Sequence, residues 1–496
     1  MPDLAARRPP PPLRPQPDPQ LLRTPRANRR AGSLAMALVL LSGPAAAAPA
    51  AVTTAPAAVA TAPLTGAERS ALGGALGLGD AVFSLDDAAL TARALSYART
   101  EGGQRVRPSR IDSRWTIEPP TRDLAAELAA ARAAGRLAPW LASFAPTAPA
   151  YRALSEARER YAMTAAVGGW PSVPNGPSLR VGDRGDVVSA LRSRLAAEGY
   201  GAASSDPMLF GTELEDALRE FQARHALGVD GVLGPATRGA LNVSAAERLA
   251  QIDANLERWR WMPRSPPGDR LEVDTGAQEA TLYKADSPAL RMRVIVGSPK
   301  HPTPMFASSV DAVILNPPWN VPASIAANEL LPAEARRPGL LASMGIRWVD
   351  GHLQQRPGPK NSLGVIKFDV TSRFGVYLHD TPGKGLFVQP VRAFSHGCMR
   401  LEQPRDLALA LLAPQAWAPA SLDEAIAAGV TRRINLQRRV PLYVVHWTVR
   451  AEADGRLSFR PDIYGWDRKL AAALPKVTIA QGQGVDRATR QARRHV

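Results

Sequence analysis

From 66 to about 170 apolar positions recur at three-to-four spacing, in Ala89-Leu90, Ala94-Leu95 and Ala98 and again in Leu124, Leu128 and Ala131. That period predicts amphipathic, alanine-rich helices. Gly168-Gly169-Trp170-Pro171 through Pro177 breaks it. Three shorter helices are predicted over 179–243. The first has Val187, Val188, Leu191 and Leu195 on one face, the second Leu214, Ala217, Leu218 and Phe221, and the third ends at Leu241. After a linking helix at 247–261 the chain turns to β-branched and aromatic runs. These predict strands at 280–283, 293–296, 310–315, 365–370, 375–378 and 442–449. An irregular, Pro-rich stretch of about 322–360, with a helical patch at 323–331, interrupts the strands. An insertion of that length is a candidate lid. The fold class expected is α+β, multidomain.

The chain has 496 residues, enough for about three domains. With 45% hydrophobic and 21% charged residues it can bury a sizeable core, which excludes wholesale disorder. The net charge of +16 predicts an acidic partner. The single cysteine excludes an internal disulfide and any metal site built from two cysteines. Near the start, Arg29-Arg30, an apolar run over 31–41 and small residues over 45–50 read as a secretory signal peptide. Its core is too short for a spanning helix, which needs about 20 apolar residues. Residues 1–48 are therefore assigned to a leader and 49–65 to a flexible linker. Removing 1–48, with seven arginines and two aspartates, leaves +11. The mature chain is expected in the periplasm without an integral membrane span, and residues 463–496 as a basic tail.

The lone thiol sits in Ser395-His396-Gly397-Cys398-Met399-Arg400, and His379-Asp380 ends an earlier strand. A free thiol becomes a good nucleophile at neutral pH beside an imidazole or a cation. His379 and His396 are the two candidate imidazoles, and Arg400 adds positive potential. Gly397 lets the backbone come close, so the Cys398 amide and its neighbours could form an oxyanion hole, where a donor contributes about 3 kcal/mol. A lone cysteine is more often a small buried hydrophobe, but two histidines and a glycine at these spacings favour chemistry. His225 and His446 read as structural. His301 and His352 fall in loops without a visible partner. His396 with Cys398 does not supply the three or four ligands of a zinc site.

His379, fifteen residues, then Ser395-His396-Gly397-Cys398 resembles the signature of the L,D-transpeptidase family. The resemblance extends through Gly297, Thr303-Pro304, Asn316-Pro317-Pro318-Trp319-Asn320-Val321-Pro322 and Glu257-Arg258-Trp259-Arg260-Trp261. It points to the large, lid-carrying Gram-negative branch. Residues 179–243, with Phe221-Gln222, Gly228, Asp230-Gly231, Gly234-Pro235 and Thr237, resemble a three-helix peptidoglycan-binding domain. The implied organisation is a helical scaffold at 66–175, a peptidoglycan-binding domain at 176–243, a linking helix at 244–268 and a β-rich catalytic domain at 269–462.

The resemblance implies Cys398 as nucleophile, His379 as general base and acid, and Asp380 as its orienting partner through carbonyl or carboxylate. It places His396 and Gly397 on the oxyanion side and Ser395, Tyr377, Trp319 and Arg400 at the substrate. Small family members carry Asn where this chain has Arg400. The implied reaction releases D-alanine from a stem tetrapeptide through a Cys398 thioester and forms 3→3 cross-links. Carbapenems would acylate the same sulfur. No cofactor, metal or nucleic acid is called for, and a monomer is expected. The same acyl-enzyme also serves a carboxypeptidase, amino-acid exchange or lipoprotein attachment. A papain-like peptidase places Cys before His, the reverse of this order, and a non-catalytic wall-binding protein would not need the intact pair.

Overall fold

The computed structural model describes residues 63–201, 203–452 and 454–474. The leader, the linker up to 62 and the tail beyond 474 lie outside the described residues. The first helix, α1 (Gly66–Ala75), opens on a capping box. Thr65 Oγ1 accepts from the Glu68 amide at 3.2 Å, and Glu68 accepts from the Thr65 amide at 2.7 Å. It packs with α2 (Asp87–Glu101) and α3 (Leu124–Ala133) around Leu72, Leu90, Ala94, Leu124 and Leu141. A longer helix, α4 (Pro149–Ala166), leaves this cluster. Tyr151, Leu154 and Ala157 instead pack with Ile252 and Leu256 further along the chain.

Helices α5 (Asp186–Ala197), α6 (Thr212–Arg224) and α7 (Pro235–Leu241) follow. Val188, Leu191, Leu195, Leu214, Leu218 and Phe221 form their core, as the periodicity predicts. The turn motif is structural. The Gln222 amide nitrogen donates to Asp230 at 2.8 Å and Thr237 at 3.1 Å, while its oxygen accepts from the Gly231 amide at 2.9 Å. Buried polar groups need such partners.

The helix expected to link is part of a core. Helix α8 (Ala245–Trp261), capped by Ser244 and Glu247, buries Ile252, Ala254, Asn255, Leu256 and Trp261. The Trp259 ring stacks on Trp447 at 4.6 Å, and Trp261 packs on Trp115.

Among the described residues fourteen strands come next: β1 (Arg270–Asp274), β2 (Glu279–Lys284), β3 (Ser287–Gly297), β4 (Phe306–Leu315), β5 (Trp319–Asn320), β6 (Ile346–Val349) and β7 (His352–Gln355). Then come β8 (Ile366–Val370), β9 (Leu378–His379), β10 (Ala393–Ser395), β11 (Met399–Leu401), β12 (Arg432–Val445), β13 (Val449–Ala451) and β14 (Leu457–Phe459). Nine of them form one sheet in the order β10-β3-β11-β9-β8-β4-β12-β1-β2, and the β2–β3 pairing closes it on itself. Helix α9 (Pro404–Leu412) covers one face with Leu407, Ala408, Leu411 and Leu412. The molecule is thus mixed α and β, with a helical N-terminal region, a three-helix unit and a β-rich region. Among the described residues no helix is long and apolar enough to cross a membrane.

Four expectations need correction. The strand at 375–378 shrinks to β9, because Gly375 turns the chain with φ +64°. The strand at 442–449 ends at Val445, where His446 leaves the ladder for Thr275 at 2.8 Å and Asp462 at 3.2 Å. The stretch at 322–360 is not irregular, since β5, β7 and β6 make a three-stranded sheet of their own around Val321, Leu341, Ile346 and Leu353. Residues 463–474 are not tail: helix α10 (Trp466–Ala473) buries Trp466 and Leu470 against Trp115 and Trp261.

Candidate active site

Short strands β8, β9 and β11 lie side by side and alternate in and out of the core. Ile366, Phe368, Leu378, Met399 and Leu401 point inward and are buried. The residues between them share the opposite face. Across β8 and β9, Lys367 pairs with His379; across β9 and β11, His379 pairs with Arg400. Tyr377, two residues before His379, has its ring 5.7 Å from the imidazole. The amide of Met399 donates to the Tyr377 carbonyl at 3.0 Å, which brings Cys398 alongside Tyr377. Lys367, Tyr377, His379, Cys398 and Arg400 thus converge from three strands.

The loop carrying the thiol is tightly clamped. Ser395 Oγ donates to the Cys398 carbonyl at 2.6 Å and accepts from the Gly397 amide at 3.1 Å. Thr303 Oγ1 donates to the Gly397 carbonyl at 2.9 Å and accepts from the Gly297 amide at 2.8 Å. Gly397 adopts φ +109°, a region open to glycine, and so carries the turn into Cys398. Ser395, expected at the substrate, is buried with its hydroxyl committed to this loop. The Gly397 amide is committed likewise, so the expectation that it serves an oxyanion is also corrected.

His379 is buried, and its Nδ1 lies 2.5 Å from the Asp380 carbonyl. A carbonyl only accepts, so Nδ1 carries the hydrogen and Nε2 is the basic nitrogen. The Asp380 carboxylate is occupied elsewhere, with Lys384 Nζ at 2.6 Å and the Val365 amide at 3.0 Å. Of the two partners the sequence left open, the carbonyl is the one in place. Burial, and then the Arg400 charge, lower the His379 imidazole to about 3, so at rest it is neutral.

The Cys398 thiol is half-buried, and burial raises it above its ordinary value. The Tyr377 amide, Lys367, Arg400 and the Tyr377 hydroxyl oppose that rise. Burial depresses the Arg400 guanidinium, whose Nε is buried with no hydrogen-bond partner. Burial raises the Tyr377 hydroxyl and the Trp319 indole on β5 opposes that rise, so the inserted sheet acts on the site.

His396 points away from this group. Its Nε2 pairs with Glu329 Oε1 at 2.6 Å, and its ring lies 4.8 Å from that of His301. Glu329 stands on one π turn (Ala326–Leu330) between the helical turns Ala323–Ile325 and Leu331–Arg336. Pro332 has no amide hydrogen for the next α-type bond, which fits a local widening of the helix. Lys367, Glu329 and His301 were missed from the sequence. Lys367 reads there as an ordinary solvent-facing strand residue, and only strand pairing sets it opposite His379.

Residues 268–415, which hold this whole group, match the model of the L,D-transpeptidase catalytic domain. The chain carries an L,D-transpeptidase catalytic domain. Residues 184–241 match the "Putative peptidoglycan binding domain" and 80–157 the "Scaffold domain". A curated "Putative L,D-transpeptidase" of Haemophilus influenzae is 30% identical over 243 residues, 45% of this chain and 49% of that protein. The chain thus spans about half the length of that relative. An L,D-transpeptidase structure from Stackebrandtia nassauensis is 15% identical, with 55% of this chain and 96% of that one covered at a TM-score of 0.22. One from Xylanimonas cellulosilytica is 17% identical, with 55% and 98% covered at 0.19. Strand β12 lies outside the matched catalytic domain, yet it sits between β4 and β1 in the same sheet.

Proposed function

We propose that the chain is an exported cysteine L,D-transpeptidase acting on peptidoglycan stem tetrapeptides. The observation that carries this reading is the convergence of Cys398, His379, Tyr377 and Arg400 on one sheet face inside the matched catalytic domain. The Cys398 sulfur attacks the carbonyl of the third stem residue while its proton passes to His379 Nε2. A neutral imidazole beside an unionised thiol suits this order, with proton transfer accompanying attack rather than preceding it. The protonated imidazole then gives its proton to the departing D-alanine amine, leaving a thioester. An amine of a second stem attacks that thioester, His379 takes the amine's proton, and the thiol is regenerated with a 3→3 cross-link.

With the Gly397 amide engaged, the tetrahedral oxyanion falls to the Cys398 amide, while the partly exposed Arg400 guanidinium takes a stem carboxylate. The three-helix unit holds the enzyme to the wall, which places it outside the cytoplasm. The insertion acts as a lid, held by the Glu329–His396 pair and by Trp319 on Tyr377.

The test incubates the purified chain with a disaccharide-tetrapeptide beside Cys398→Ala and follows both by mass spectrometry. The expected result is an adduct on Cys398 with loss of D-alanine, then 3→3 dimers, and nothing with the variant. Tripeptide without dimers reassigns the chain to a carboxypeptidase. No change in the substrate with either protein sinks the enzymatic reading.

A further inference from the structure

We propose that Lys367 is a positioning residue for the reaction of Cys398, pinning the Tyr377 ring and holding positive charge on the sheet face where the sulfur lies. It rests on the reading of Cys398 as the nucleophile. Ile366 and Phe368 commit β8 to the core, so Lys367 between them must take the other face, and the β8–β9 register sets it opposite His379. Its Nζ lies 4.2 Å from the centroid of the Tyr377 ring, within the range of a cation–π contact. The side chain is only 21% exposed, so its ammonium has lost much of its water and needs compensation.

A carboxylate does little of that compensating. Among the described residues the one ion-pair partner of Lys367 is Asp369, at 3.8 Å, and Asp369 is itself bonded to Arg433 at 2.5 Å. The charge of Lys367 is therefore not cancelled locally and acts on its own face of the sheet. On that face stand Lys367 from β8, Tyr377 just before β9, His379 on β9 and Arg400 on β11. From the inserted sheet the neutral Trp319 indole acts on Tyr377, while His396 pairs with Glu329 and lies beside His301. Both Lys367 and Arg400 favour the thiolate. Through the ring Lys367 also orients Tyr377, whose backbone pairs with the strand that follows Cys398.

Because Cys398 is the single cysteine, alkylation of the full chain by iodoacetamide reads this sulfur alone. The rate below the thiol's midpoint follows the thiolate fraction, and a tenfold change is one pKa unit. At pH 7.5, Lys367→Met and Lys367→Gln are expected to alkylate about threefold to tenfold more slowly, with the pH profile moved to higher pH. Lys367→Arg keeps the charge and is expected to restore the wild-type profile. The proposal is overturned if either neutral variant keeps the wild-type melting midpoint and the wild-type profile, or if Lys367→Arg slows as much as Lys367→Met. Alkylation needs no peptide substrate, so a chain that proved unable to cross-link stems would refute the transpeptidase while leaving this result readable.

Discussion

At Gly364 the backbone turns with φ +62°, and a Cβ there would stand 2.2 Å from Asp380 Oδ2. That carboxylate ties down the Val365 amide and Lys384, and the carbonyl of the same residue fixes the His379 tautomer. Gly364→Ala is expected to destabilise the chain by about 1–3 kcal/mol and to slow acylation of Cys398. Gly375→Ala, at φ +64° with nothing within 4 Å, is expected to lose only the backbone part and leave acylation intact. Thermal melts beside adduct formation by mass spectrometry separate the two. Equal losses in both would mean that the contact with Asp380 does not matter. The sequence already pointed to Cys398 and Arg400 and offered His379 and His396 as two candidate imidazoles, between which only the family resemblance chose. It could not choose between the Asp380 carbonyl and carboxylate, which are one residue and differ only in where the chain bends.

Among the elements, the insertion carries the largest difference between expectation and structure. Its strands are short, and β5 and β7 pair across more than thirty residues, so no local alternation announces them. The π turn brings Glu329 to His396, a pair with side chains 49% and 38% exposed. An exposed pair of this kind contributes at most about 1 kcal/mol. Glu329→Ala should therefore loosen the insertion without unfolding it. Amide hydrogen exchange over 323–343 is expected to speed up by about twofold to fivefold, with the nine-stranded sheet unchanged. Unchanged exchange would leave Trp319 and Tyr377 as the tether.

On the scale of the whole molecule, the three-helix unit is docked on the C-terminal hairpin of β13 and β14. Phe459 is 2% exposed and lies against the rings of His225 and Tyr161, with the Arg248 guanidinium 4.3 Å above it. Arg224 pairs with Asp454 at 2.7 Å and Arg456 with Glu220 at 2.9 Å around this anchor. Burial, then the nearby arginines, drive the His225 imidazole well below its ordinary value, so it stays neutral and stacks. Phe459→Ala is expected to destabilise the chain by about 3–5 kcal/mol in urea denaturation. A loss below about 0.5 kcal/mol would mean that the hairpin merely touches the helical unit.

Periodicity by itself determined the helical blocks, the faces of α5 and α6 and most of the long strands. Those follow from which side of a local element meets water. That a lone cysteine stands near two candidate histidines was equally legible from residue type and spacing, while the choice of His379 rested on the family resemblance. The tertiary structure alone decided what depends on neighbours distant in the chain. It set Lys367 across from His379, turned His396 toward Glu329 rather than the sulfur, and committed the Ser395 hydroxyl and the Gly397 amide to their own loop. It also packed 463–474 into the core. The common reason is that strand register and ring packing join residues tens to hundreds of positions apart, and no local pattern of polar and apolar residues encodes which strand lies beside which.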